Sequence, residues 1–150
     1  MTDLTNAYRQ WFEYDLYANQ KVLAVIEDHI GNLPDDTLKL FSHIIASHHI
    51  WNTRINGQKR SYGVWERIAA SDMGKALRDN MQDTLDIIAN IPETDETVYE
   101  NSAGIRFKNN VPDILFHVLT HNHYHRGQIA RNLRENNIDP PETNYIVYRR

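Results

Sequence analysis

"HVLTHNHYHRGQIARNL", residues 117–133, places His117, His121, His123 and His125 in what otherwise reads as a helix, and follows them with Gly127 where a helix prefers alanine. Set at about 100° per residue, Ile114, Leu115, Val118, Ile129 and Leu133 define one apolar sector. His121 and His125 fall on or beside that sector, His117 lies toward its edge, and His123 points away. The inward pair is H-x-x-x-H, a spacing that lets two imidazoles on adjacent turns reach one ion while the backbone stays regular. The alternative reading is two buried histidines satisfied by carbonyls or by Tyr and Asn side chains.

Helical periodicity extends outward from this stretch over most of the chain. A first helix is expected from about Asp3 to Ile30, with Tyr8, Trp11, Phe12, Leu16, Val22, Leu23 and Ile26 on one face and Gly31 at its end. A second starts near "PDDTLKLF", where Pro34 and the acidic Asp35 and Asp36 suit a first turn, and stops around Gly57. A third opens on "SDMGKALRDN" with Ser71 as the expected N-cap and ends before Pro92. Asn110 reads as the cap of the fourth, with Asp113 at its third position and "NNIDPP" closing it near Asn137. Between the third and fourth, "ETVYENSAGIRFKN" holds two short extended runs around a Ser-Ala-Gly turn, a small hairpin or an irregular loop. Repeats, low-complexity tracts and linkers are absent. The expected fold is all-α, a four-helix bundle with one longer connection, over a single domain spanning 1–150.

The bulk numbers narrow the chemistry. A chain of 150 residues buries roughly 68–70% of its unfolded surface, so one core suffices without covalent staples. There is no cysteine, which excludes disulfides, thiolate ligands and a cysteine nucleophile, so any metal must be held by nitrogen and oxygen. Net charge is -4 with the basic residues scattered, and no nucleic-acid partner is indicated. The opening "MTDLTNAYRQWF" lacks a basic region followed by an apolar run, and no window approaches the roughly 18 apolar residues of a membrane span. A soluble, cytoplasmic protein with no membrane partner is the expectation.

A second cluster, His43, His48 and His49, lies in the second helix. Periodicity favours His48, which shares a stripe with Phe41, Ile44, Ile45 and Ile55; His43 sits on another face with Leu40, Ser47 and Ile50. A helix inside a bundle meets two neighbours, so both remain open as a third ligand, and His49 has the least support. Gly127 costs a helix interior roughly 1 kcal/mol, which suits the close approach of another backbone or a ligand, or a packing contact. Gln128 follows on the histidine face and suits a partner that orients a ligand ring. Arg126 reads equally as a surface ion-pairing residue. A general base would have to be Asp, Glu, Tyr or another histidine near the ion; Asp15, Asn19 and Tyr14 of the first helix could face the bundle interior in a catalytic role, or be plain interior polar residues.

At "FSHIIASHHIW" followed by "HVLTHNHYHRGQIARNL" the chain resembles the DinB/YfiT-like family of four-helix-bundle metalloproteins. The likeness extends to "FEYDLYANQKVL" and to the ending "PPETNYIVY", so it spans the chain, with HRGQI preceded by His121 its most specific part. The resemblance implies a divalent metal, zinc or nickel, held by His43, His121 and His125. It also implies a small-molecule substrate, either a low-molecular-weight thiol in an S-transferase or the substrate of a hydrolase, and pairing into homodimers. Three imidazoles leave a position open on an ion, where a closed structural site fills all four. Without H-E-x-x-H a zincin peptidase is not expected. The competing class is a metal binder without catalysis, and beyond it a metal-free helical scaffold. A catalytic site calls for a pocket reaching the ion, for which Trp51, Trp65, Tyr62 and Tyr148 are the available walls.

Overall fold

In the computed structural model, which describes residues 3–91 and 96–150, each helix begins and ends where backbone chemistry allows. Helix α1 spans Asp3–Asp28, α2 Asp35–Asn56, α3 Ala70–Ala89 and α4 Val111–Glu135. The Asn110 side chain accepts a hydrogen bond from Asp113 N at 3.0 Å, the N-cap expected of α4. Gly57, at φ 64°, turns the chain out of α2. Its N–H reaches Arg54 O and that of Gln58 reaches Thr53 O, which satisfies carbonyls the helix leaves open. Asn137 does the same after α4 at φ 59°, with Ile138 N on Leu133 O and both side chains buried in one cluster.

Two expected boundaries shift. Helix α1 stops at Asp28 and not at Ile30, because the chain tightens into turns in which His29 N bonds Ile26 O and Asn32 N bonds His29 O. Helix α3 starts two residues earlier than Ser71 as N-cap predicts: Ala69 is the N-cap and no side chain caps it, Asp72 N bonding the Ala69 carbonyl. It ends at Ala89, and Pro92 lies outside the described residues. The connection to α4 is a hairpin, β1 Glu96–Glu100 antiparallel to β2 Arg106–Asn110, with Tyr99 opposite Phe107. Asn101 Oδ1 closes its turn by accepting from Ala103 N and Ile105 N, and Gly104 supplies the positive φ of 77°. The sequence reading missed a last single turn, α5, Tyr145–Tyr148.

Helix α2 packs on α3 and α4, and α1 on α3 and α4, so the four run in the cyclic order α1, α3, α2, α4. The core has two apolar clusters. One gathers Val22, Ile26, Phe41, Ile45, Ile129 and Leu133; the other gathers Tyr8, Phe12, Met81, Leu115 and Val118. On every helix the residues between them are buried and polar: Asp15 and Asn19, His48 and Asn52, Asn80 and Thr84, Asn122 and Arg126. Fully burying one large apolar side chain is worth about 1.5–3 kcal/mol, so the two clusters hold the bundle and the polar layer must be hydrogen-bonded to be tolerated. Among the described residues no helix is long and apolar enough to cross a membrane.

Candidate metal centre

The neighbouring helices α2 and α4 supply the three nitrogens. His121 and His125 stand one turn apart on α4, and His43 faces them from α2. Each of His43 Nε2 and His125 Nε2 lies 3.2 Å from His121 Nε2, and one ligand atom from each ring falls within 4.8 Å of the others. His43 is buried; the other two are partly exposed.

The outward edges of the rings decide what the inward edges are. His43 Nδ1 lies 2.8 Å from the Val64 carbonyl and His125 Nδ1 lies 2.7 Å from Gln128 Oε1. A carbonyl only accepts, so each Nδ1 carries a proton, and in the neutral ring, the form that binds a metal, each Nε2 presents a lone pair toward His121. Burial, reinforced by His125 and His43, pushes His121 down to about 4, so it is neutral at pH 7 and brings at most one N–H. That N–H can serve one neighbour, which leaves at least one 3.2 Å approach of lone pair to lone pair. A cation among the three nitrogens resolves this, and an all-imidazole donor set suits a divalent transition metal.

Local folding explains the anchors. Ile68 N bonds Ser42 Oγ at 3.0 Å, tying the α2–α3 connection back onto α2 and bringing Val64 and Trp65 over His43. Trp65 stacks on the His43 ring at 3.7 Å and 9° while staying half exposed. Two further aromatic rings abut the trio, Tyr124 against His125 and His117 against His121.

The remaining candidates are elsewhere. His48 is buried against α3 with Nε2 2.8 Å from Thr84 Oγ1, and burial lowers it to about 4; the structure brings His43, not His48, to the α4 pair. His49 accepts from Ser61 N, and His123 is exposed. Arg126 is no surface residue: its Nη1 donates to Asp15 Oδ1 at 2.6 Å and Asn19 Oδ1 at 2.9 Å, all three being buried. Asp15 and Asn19 are thereby committed to that pair and stand outside the trio. Tyr14 donates to the Thr143 carbonyl and packs on Tyr145 and Tyr148. An added Cβ on Gly127 meets nothing within 4 Å, so no close approach among the described residues explains it. Of the expected pocket walls, Trp65 alone lies on the trio. Trp51 packs on His117 and Tyr99, Tyr62 on His49, and Tyr148 on Tyr14 and Tyr17. The Val64 anchor had no signal in the sequence, since any residue offers a carbonyl.

The model of the DinB family matches residues 1–150, the whole length of the chain. No curated protein matches it.

Proposed function

This chain belongs to the DinB family, and on that premise we propose that it binds one divalent ion, zinc or nickel, through His43, His121 and His125 and uses the open coordination to activate a low-molecular-weight thiol for S-transfer. One observation carries the metal reading: three Nε2 atoms converge while two of their rings are anchored from behind, by Val64 on His43 and Gln128 on His125. An ion held there supplies Lewis-acid polarisation and draws the pKa of a bound thiol toward neutrality. The chain's own part is positional. Val64 and Gln128 fix the tautomers, Trp65 covers one face of His43, and the polarised outer N–H groups raise the basicity of the inner nitrogens.

Thiol transfer is favoured over hydrolysis because, among the described residues, no carboxylate joins the trio. Water attack ordinarily requires a base to take its second proton, whereas a thiol has a single proton to lose, which would pass to solvent once its pKa is drawn toward neutrality. Asp15, the buried carboxylate of α1, is bound to Arg126. The same lack supports a second reading, a metal binder without catalysis.

Elemental analysis of untagged protein should give close to one equivalent of zinc or nickel, lost in His43→Ala and in His121→Ala, and retained in His48→Gln. Wild-type protein that stays metal-free, and gains no thermal stability from added zinc or nickel, would overturn the reading. With metal established, thiol-conjugation activity that tracks occupancy separates the enzyme from the simple binder.

A further inference from the structure

A second site lies on the seam between α1 and α4, apart from the trio. It is a cavity of about 500 Å³ walled by Trp11, Tyr14, Phe116, Leu119 and Tyr145, with Asp15 and Arg126 in its lining. That volume lies within the range of small-molecule pockets, roughly 300–1,000 Å³, and the pattern is theirs too: apolar walls with a few placed polar groups.

The polar group is unusual. Arg126 is 4% exposed, and only its Nη1 is used, by Asp15 and Asn19. Its Nε is buried without a partner, and Nη2 makes no hydrogen bond among the described residues. Nε and Nη2 form one edge of the guanidinium, two parallel N–H groups whose spacing matches the oxygens of a carboxylate. Leaving the buried Nε unpaired is costly, while Nη2 is not among the buried atoms that lack a partner. Asp15 is well supplied, accepting also from Asn122 Nδ2 at 2.9 Å, so the three donors left on Arg126 call for another acceptor.

We propose that this cavity binds a small aromatic monocarboxylate, its ring among Trp11, Tyr14 and Phe116 and its carboxylate on the free edge of Arg126. The site stands independently of the metal.

The test is calorimetric titration of the protein as purified with 2-naphthoate, and with 2-naphthalenemethanol as the ring without the charge. One naphthoate per chain is expected, with the alcohol at least about tenfold weaker. Arg126→Lys keeps a cation for Asp15 but removes the two-pronged edge and should weaken naphthoate at least about tenfold. Leu119→Trp, which fills the cavity from its wall, should abolish binding while metal content and melting temperature hold. The second variant keeps the test decisive if Arg126→Lys fails to fold. Equal binding of acid and alcohol overturns carboxylate recognition. Absence of uptake overturns the site and leaves the orphaned donors to buried water. Self-association of the chain that Leu119→Trp disrupts, without naphthoate binding, assigns the groove to a second copy and overturns the proposal as well.

Discussion

His48 shows how one buried imidazole couples acidity to stability. It is enclosed among Phe12 and Thr84, and burial lowers it from 6.5 to about 4. The unfolded chain therefore takes up the proton first as pH falls, and stability is lost progressively from about pH 6.5 down to about pH 4. Between pH 7 and pH 5 this one group accounts for about 2 kcal/mol. His48→Gln keeps a hydrogen-bonding group for Thr84 and removes the titration, so its urea midpoint should fall less between those pH values than the wild-type midpoint. An equal fall in both proteins would show that His48 is protonated as readily in the fold as out of it. The residue also shows what periodicity can and cannot read. Spacing favoured His48 and set His43 on another face, yet both faces of α2 are inward, His48 toward α3 and His43 toward α4. The side that matters depends on which neighbour each face meets, and that is a property of the packed bundle.

At the scale of elements, the ends were legible where a side chain or a backbone angle does the work. Asn110 and Asp113, Gly57 and the "NNIDPP" turn all read correctly because the residue type itself favours the conformation. Ser71 misled because the α3 cap is made by a backbone carbonyl, which any residue can provide. The final turn α5 left no periodic trace; it is held by the contacts of Tyr145 and Tyr148 with Tyr14, a residue more than a hundred positions earlier. Asn137 sits in the left-handed region, where a Cβ costs about 1–2 kcal/mol and an Asn side chain offsets part of it. Asn137→Ala should therefore lower the unfolding free energy by about 1 kcal/mol, and Asn137→Gly should restore or exceed wild type. Chemical denaturation of the three proteins checks both signs.

Over the whole molecule the organising feature is the polar layer between the two apolar clusters. The His121 and His125 pair left a mark in sequence through its helical spacing, whereas spacing favoured His48 on α2 and His43 entered only through the family resemblance. The Asp15–Arg126 pair was not, because Arg126 sits beside the histidine cluster and an arginine in a helix is ordinarily solvated. Arg126→Met should strand Asp15 and cost about 3–5 kcal/mol, while Asp15→Leu with Arg126→Met should cost markedly less, since breaking a buried pair is worse than replacing it. Equal losses would place the contribution in packing and not in charge. The layer also does something that apolar residues could not. Leucines against leucines tolerate sliding, but Asn52 meets Asn80 and Thr84, Asp15 meets Asn122 and Arg126, and Thr37 donates to Asn132 between α2 and α4. Each link has a single partner at a single height. A slip of α2 along α4 by one turn, about 5.4 Å, would break the Thr37–Asn132 link and carry His43 past His121 altogether. The buried polar residues are in this sense graduations on a scale, and they keep the imidazole of α2 level with the pair on α4 so that the three can meet at a point.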